Sequence, residues 1–247
     1  MNYQALCKIV TCFRVEPRSV GRGSLLALRL PIFAKRPTLN NLNIVSFRNG
    51  AKWAIVSGIM LILFSFLGGK DELFLLLNHD LGPTADFFFQ YFTHAGDGIF
   101  WVPLALYFIF YKRKLLPLIL SAIVLSTLLV QTGKKIIYPN EARPTAAIES
   151  TEQNNIHTVK GVTVHTNNSF PSGHTTTAFS LFLLGCLLLP YTFFWLIGFT
   201  AAILAGYSRI YLAQHFPLDV GAGMICAVIS VYLSLQIQKA FDKKWDT

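Results

Sequence analysis

Residues 171–189 read PSGHTTTAFSLFLLGCLLL, a polar cluster followed directly by an apolar run. The run over residues 175–189 approaches the length that crosses a bilayer as a helix. The same arrangement recurs twice, so that three polar clusters each lie at one end of an apolar segment. The other two clusters are Lys134-Lys135 with Arg143-Pro144, and Ser208-Arg209 with His215 and Asp219. The pattern indicates a membrane protein whose polar chemistry is concentrated where its helices end.

The composition of the 247-residue chain supports this interpretation. Hydrophobic residues make up 53% of the sequence, and 21 residues are phenylalanine. The mean hydropathy is +0.49, which is high for a soluble domain. The sequence therefore predicts an all-α protein, a six-span transmembrane helical bundle. The predicted spans are residues 53–67, 100–111, 115–132, 175–189, 192–207 and 218–237.

The distribution of positive charge predicts the orientation in the membrane, because Lys and Arg accumulate in cytoplasmic loops. With a cytoplasmic amino terminus, 15 of the 21 Lys and Arg residues lie inside and all six histidines lie outside. We therefore expect a multi-pass protein of the cell membrane, a bacterial inner membrane by default, with both termini cytoplasmic and the three clusters extracytoplasmic. The net charge of +9 then reflects topology and anionic lipid, and no nucleic-acid partner is expected.

Three regions follow from these spans. Residues 1–51 form a basic cytoplasmic extension for which disorder and an interfacial helix both stay open, with disorder favoured. Residues 52–239 form the membrane-embedded domain, and residues 240–247 form a cytoplasmic tail. The loop between the third and fourth spans contains four further candidate metal ligands, but their spacing matches no known ligand pattern, and we expect a solvated surface. These are Glu149, Glu152, His157 and His165.

The cluster at residues 171–174 suits anion binding. Ser172 is a good N-cap for the helix that follows, and a helix amino terminus binds anions through its free N–H groups. Gly173 allows a phosphate to approach the backbone, and His174 stands beside that position as a proton donor. A plain helix cap with an incidental histidine would explain the same four residues.

The cluster around His215 suggests an oriented imidazole. Pro217 suits the first position of a helix, which makes Phe216 the cap and places Asp219 third. A carboxylate there can reach back and accept a hydrogen bond from one ring nitrogen of His215, leaving the other nitrogen unprotonated. A structural cap that offsets the helix dipole is an equally simple interpretation.

The cations complete the inventory. Arg209 near the end of a span is costly beside lipid unless it pairs or faces a polar cavity, and a phosphate is a natural partner. Arg143 offers a bidentate guanidinium, and Lys134 and Lys135 offer mobile point charges, although interfacial lysines can also simply extend toward water. Four cations around a phosphate dianion would offset the charge of a phosphoryl-transfer transition state, so no metal and no cofactor are expected.

Together the clusters resemble the signature of the type 2 phosphatidic acid phosphatase and vanadium haloperoxidase superfamily, in its membrane lipid phosphatase branch. That signature is K-x6-RP, PSGH and SR-x5-H-x3-D. The second and third parts match at Pro171-Ser172-Gly173-His174 and at Ser208-Arg209, His215 and Asp219. The first part departs, since seven residues separate Lys135 from Arg143 and eight separate Lys134 from it.

The resemblance implies a helical core and a role for each matched residue. His215 would be the nucleophile that forms a phosphohistidine, Asp219 would orient it, and His174 would protonate the departing alcohol. The phosphoryl oxygens would be held by the remaining residues of the signature. These are Lys134 or Lys135, Arg143, Ser172, Gly173 and Arg209.

The expected function is therefore an integral membrane, metal-independent phosphatase acting on a lipid monophosphate or diphosphate, with its site on the extracytoplasmic face. The haloperoxidase branch is soluble and larger, which the predicted spans disfavour. Two alternatives stay open: a phosphotransferase using the same site, and a non-enzymatic lipid-binding or transport protein. The lipid itself and the oligomeric state do not follow from the sequence.

Overall fold

The computed structural model describes residues 42–148 and 156–245, and within these ranges all regular structure is helical. This confirms the all-α prediction. The expectations for residues 1–41, Glu149 and Glu152 fall outside the described residues. The longer α-helices are α1 (Ile44–Leu67), α2 (Lys70–Leu77), α3 (Pro83–Phe92), α4 (Trp101–Tyr111), α5 (Leu116–Thr132), α6 (Gly173–Leu188), α7 (Phe194–Tyr211) and α8 (Pro217–Trp245). A single helical turn, Pro144–Ala147, follows Arg143.

By length and composition, four helical segments in the described part of the chain can cross a membrane. They are Ile44–Leu67, Arg113–Ile137, Phe194–Tyr211 and Pro217–Lys244. Two shorter apolar helical segments, Gly98–Tyr111 and Gly173–Leu188, occupy the places of the other two predicted spans. The count of six spans therefore stays a prediction. Helix α1 begins at Ile44 rather than at residue 53, because Asn43 caps it by accepting a hydrogen bond from the Ser46 N–H.

Helix α8 lies at the centre of the bundle and packs against α1, α5 and α6, while α7 packs against α6. The crossing of α1 and α8 depends on two glycines. A Cβ atom at Gly58 would lie 2.9 Å from the Gly221 carbonyl oxygen, and one at Gly221 would lie 2.7 Å from the Gly58 carbonyl oxygen. Small residues of this kind let two membrane helices approach backbone to backbone.

The outer surface of the bundle is strongly apolar. Leu67 is 82% exposed, Phe193 is 77% exposed and Ile197 is 73% exposed, and large exposed side chains occur along several helices. Contiguous apolar surface of this extent is not stable in water, and it fits contact with lipid acyl chains.

The two ends of the bundle differ in their chemistry. At one end, the Gln238 side chain accepts a hydrogen bond from the Leu118 N–H and donates one to the Lys114 carbonyl oxygen, at 3.0 and 2.9 Å. The basic connection between α4 and α5 therefore lies beside the lysine-bearing end of α8. At the other end, α5 and α7 terminate and α6 and α8 begin, and the Ser172 N–H donates to the Asp219 carbonyl oxygen over 3.0 Å. All three polar clusters meet at this second end.

The short helices α2 and α3 were not predicted, and they connect the long loop to this end of the bundle. The Asn78 side chain donates to the carbonyl oxygens of Ile210 and Tyr211, each over 2.9 Å, and accepts from the His157 N–H. The ring of His157 lies 2.9 Å from the Asp86 carboxylate. His157 is thus part of the loop's attachment to this end of the bundle.

Candidate active site

His215 and Asp219 take the positions that their spacing predicts. Helix α8 begins at Pro217, so Asp219 is its third residue. The Asp219 carboxylate oxygen Oδ2 accepts a hydrogen bond from the Phe216 N–H over 3.0 Å and lies 3.3 Å from Nδ1 of His215. A helix cap and an imidazole–carboxylate pair are therefore one arrangement here, so the two interpretations of the sequence are both correct about geometry.

Ser169 gives the Asp219 carboxylate a further donor. Its hydroxyl is fully buried and donates to the same oxygen, Oδ2. The Phe216 N–H and the Ser169 hydroxyl thus both donate to the carboxylate oxygen that faces the imidazole. Sequence analysis missed this residue, since nothing in the spacing of Ser169 distinguishes it from its neighbours in a polar loop.

The surroundings of His215 favour the neutral imidazole. The residue is only 1% exposed. Burial, and then the positive charges of Arg143, Arg209 and Lys134, hold the pKa of His215 well below its ordinary value of 6.5. A neutral ring that donates its Nδ1 proton to Asp219 keeps Nε2 unprotonated. This is the form in which a histidine acts as a nucleophile.

Arg143 is held by backbone carbonyls on two sides. Its Nε donates to the Asn167 carbonyl oxygen over 2.9 Å, and its Nη1 donates to the carbonyl and side-chain oxygens of Gln214 at 2.9 and 3.2 Å. Burial lowers the pKa of this guanidinium, and Asp219 opposes the shift. Gln214 was also missed by sequence analysis, although it directly precedes His215.

Arg209 is buried in the last turn of α7, and one of its hydrogen-bond donors is unused. Its Nη1 donates to the Thr93 hydroxyl over 2.6 Å. Its Nε is buried and, among the residues that the structure describes, has no hydrogen-bond partner. An unpaired donor on a buried guanidinium is unfavourable unless an anion completes it. Arg209 therefore has a buried donor that is available to a negatively charged group.

The cluster at residues 171–174 forms the predicted helix cap. The buried Ser172 hydroxyl oxygen accepts from the Thr175 N–H and from the Thr175 hydroxyl, and α6 begins at Gly173. A Cβ atom at Gly173 would meet only Val130, at an ordinary 3.6 Å, so packing within the protein does not require glycine there. Beside Gly173 and His174 lies a cavity of about 160 Å³. The absence of a side chain thus leaves the helix amino terminus open to this space.

A family model described as the PAP2 superfamily matches residues 114–243, more than half of the chain. The chain belongs to the PAP2 superfamily. The matched region begins just before α5 and includes all three clusters, which agrees with the resemblance noted from the sequence.

Individual PAP2 relatives carry lipid phosphatase names. The chain is 27% identical over 192 residues to an undecaprenyl-diphosphatase of Sulfolobus acidocaldarius, covering 73% of this chain and 86% of that protein. It is 29% identical over 180 residues to a lipid A 4'-phosphatase of Porphyromonas gingivalis, covering 71% of this chain and 75% of that protein. The crystal structure of LpxE from Aquifex aeolicus is 33% identical, with a TM-score of 0.55, and the match covers 67% of this chain and 93% of that one.

In this PAP2 chain the first motif has an irregular helix within it. Residues Gly133–Ile137 form a π-helical turn after α5, which is wider than an α-helical turn. Lys134 points back to the site, where its ammonium donates to the Asn168 carbonyl oxygen over 2.8 Å and interacts electrostatically with Arg143 and Asp219. Lys135 is exposed. The structure therefore brings Lys134 to the site and leaves Lys135 at the surface.

His174, the remaining histidine of the signature, contacts a carboxylate that is not part of the signature. Its Nε2 lies 2.7 Å from the Asp97 carboxylate, which belongs to the turns between α3 and α4. The nine residues predicted for the site thus divide into eight that the structure brings together and one, Lys135, that it does not. Their catalytic and binding roles stay predictions.

Proposed function

We propose that the protein is an integral membrane lipid phosphatase that releases phosphate from a lipid monophosphate or diphosphate through a phosphohistidine intermediate. One observation carries this proposal. The neutral imidazole of His215, held by Asp219, is buried among Arg143, Arg209 and Lys134, and Nε of Arg209 has no hydrogen-bond partner in the described part of the chain. A nucleophile beside an incomplete anion site is suited to attack on a phosphoryl group.

In the first step, Nε2 of His215 attacks the phosphorus atom of the bound lipid phosphate. The bond between phosphorus and the lipid oxygen breaks, and that oxygen receives a proton from His174. The products are a phosphohistidine and the lipid alcohol, or a lipid monophosphate when the substrate is a diphosphate. Asp219 stabilises the positive charge that develops on the His215 ring through its hydrogen bond to Nδ1.

In the second step, water attacks the phosphorus atom of the phosphohistidine. His174, now neutral, takes the proton from that water, the phosphorus–nitrogen bond breaks and inorganic phosphate leaves. Both steps place extra negative charge on the phosphoryl oxygens, and Lys134, Arg143 and Arg209 offset it together with the N–H groups at the start of α6. These cations supply the charge that a metal would otherwise supply, so we propose that catalysis is metal-independent.

The relatives support the substrate class, and the distribution of positive charge supports the location. Proteins named for undecaprenyl diphosphate and for lipid A phosphate are both similar to this chain over most of its length. The site lies at the end of the bundle opposite the basic connection Lys112–Lys114, which the positive-inside rule assigns to the cytoplasm. We therefore propose that the site opens to the extracytoplasmic face of the cell membrane.

The test is phosphate release by the purified protein in detergent with excess chelator, across a panel of lipid monophosphates and diphosphates. We expect release by the wild type and its loss in His215→Ala, while His165→Ala, which removes an exposed histidine, retains it. Asp219→Asn should lower turnover by about two or more orders of magnitude. Full activity in His215→Ala would contradict the mechanism.

Two other results would assign a different function. Transfer of labelled phosphate to a second lipid, without free phosphate, would indicate a phosphotransferase that uses the same phosphohistidine. Tight binding of lipid phosphate without any transfer, equal in His215→Ala and the wild type, would indicate a non-enzymatic lipid-binding protein.

A further inference from the structure

The turns between α3 and α4 lie against the candidate site from outside the region that the family model matches. They comprise the 3₁₀ turn Thr93–Gly96, then Asp97, then the 3₁₀ turn Gly98–Phe100. None of these residues belongs to the three clusters. Two of their side chains nevertheless bond to site residues, so the segment contributes something that the motif does not describe.

Asp97 uses both of its carboxylate oxygens on histidine rings. Oδ1 lies 2.7 Å from Nε2 of His174, and Oδ2 lies 2.7 Å from Nδ1 of His94. His94 is exposed, whereas Asp97 and His174 are half-buried. The bond to His94 therefore holds the Asp97 carboxylate on its outer side and orients its other oxygen toward His174.

Two contacts hold this segment at a fixed distance from the site. A Cβ atom at Gly96 would lie 2.7 Å from the His174 carbonyl oxygen, so the turn touches the backbone of α6 and only glycine fits there. On the other side, the Thr93 hydroxyl accepts the hydrogen bond from Nη1 of Arg209. Asp97 is thus placed relative to both the proposed general acid and a proposed phosphate ligand.

We propose that Asp97 is a positioning residue for the general acid His174. This inference rests on the proposed phosphatase function. An imidazole whose Nε2–H donates to a carboxylate has a fixed ring orientation. Burial lowers the pKa of His174, and the negative charge of Asp97 opposes that shift. Nδ1 is then the ring nitrogen that serves the leaving oxygen. The arrangement parallels the pair of His215 and Asp219, so each histidine of the reaction has its own carboxylate.

The proton balance is consistent with this role. In the first step His174 gives its Nδ1 proton to the leaving lipid oxygen and keeps the Nε2 proton that Asp97 accepts. In the second step Nδ1 takes a proton from the attacking water, and the doubly protonated ring is restored. Asp97 accepts the hydrogen bond from Nε2 in both steps, and His94 only holds the carboxylate in place.

The experiment compares two substrates that differ in their need for an acid. One is an alkyl phosphate, whose alkoxide leaving group must be protonated. The other is a nitrophenyl phosphate with an alkyl chain of the same length, whose phenolate departs without a proton. Values of kcat/KM are compared because they report on the steps up to the formation of the phosphohistidine.

We expect Asp97→Asn to lower kcat/KM for the alkyl phosphate about tenfold to a hundredfold, part of the contribution of a general acid. The nitrophenyl substrate should be affected less than about threefold. A merely structural role would lower both values together. In a His174→Ala background, Asp97→Asn should have little further effect on the alkyl phosphate, since the group that it positions is gone.

Glu72→Gln is the matched control, because it neutralises an exposed carboxylate in α2 that lies outside the site. Its kcat/KM should equal that of the wild type for both substrates. The proposal is overturned if Asp97→Asn leaves both substrates unchanged or slows both equally. A wild type that cleaves neither these substrates nor any lipid phosphate would overturn the proposed function itself, and this inference with it. If the wild type is active and Asp97→Asn changes kcat/KM for the alkyl and nitrophenyl substrates by the same factor, only this inference is overturned.

Discussion

At the scale of single residues, the charge state of His215 links the site to stability. The pKa of His215 in the folded protein is held well below 6.5 by burial and by Arg143, Arg209 and Lys134. The unfolded chain therefore binds the proton first as the pH falls. The contribution of the neutral ring is fully present above pH 6.5 and declines below it, by at most about 1.4 kcal/mol per pH unit.

This predicts a difference in acid sensitivity between the wild type and His215→Asn. The unfolding temperature of the wild type in detergent should fall more steeply between pH 7.5 and pH 5 than that of the variant, because asparagine does not titrate. The other titrating groups are present in both proteins, so the difference between the two declines isolates the part that depends on His215 and its contacts. Parallel declines would show that His215 has an ordinary pKa in the folded protein.

The two lysines of the first motif provide a second prediction at this scale. Lys134 lies at the site and Lys135 is exposed, yet the two are neighbours with the same side chain. Lys134→Ala should lower kcat/KM for a lipid phosphate about tenfold to a hundredfold, the effect of losing one charge-assisted contact. Lys135→Ala is the matched control and should stay within about twofold. The reverse order would mean that Lys135 is the phosphate ligand.

The position of a site residue could be predicted from the sequence only where neighbouring residues determine it. Asp219 was placed correctly because a proline starts a helix and a carboxylate at the third position reaches back over its cap. The sequence did not show whether Lys134 or Lys135 faces the site, because the π-helical turn at Gly133–Ile137 changes the spacing that the motif assumes. Asp97 and Ser169 were missed because their partners are far away in the sequence.

At the scale of the helices, the glycine contact between α1 and α8 should limit stability. Gly221→Ala places a methyl group 2.7 Å from a backbone oxygen that has no side-chain freedom to move, and overpacking of this kind costs about 1–3 kcal/mol. We expect a lower unfolding temperature in detergent. Gly98→Ala is the control, since a Cβ atom there meets no atom within 4 Å. Equal unfolding temperatures for the two variants would show that α1 can move away from α8.

Helix positions were mostly predictable, and the exceptions have physical causes. Apolar runs located α4, α5, α6 and α7 to within a few residues, because a long apolar segment can satisfy its backbone in lipid only as a helix. They also located the start of α8, which continues past the predicted end at residue 237 to Trp245. The start of α1 was placed too late, since the basic residues before residue 53 conceal a helix that Asn43 caps. The short helices α2 and α3 were missed because their order comes from contacts with α7 and the long loop.

At the scale of the whole molecule, the two ends of the bundle should face opposite sides of the membrane. Lys160 lies in the long loop near the site, and Lys243 lies near the far end of α8; both are exposed. In a background without the four native cysteines, Lys160→Cys should react with a membrane-impermeant maleimide in intact spheroplasts. Lys243→Cys should react only after the membrane is permeabilised. Labelling in the opposite order would invert the proposed orientation.

The central position of α8 also affects how the protein is made. A nascent chain that has inserted only α1 to α7 lacks Asp219, and it leaves open the space that α8 fills among α1, α5 and α6. The proposed activity can therefore arise only after this helix enters the bilayer. A chain that ended before α8 would lack the proposed activity and would expose the faces of α1, α5 and α6 that α8 covers.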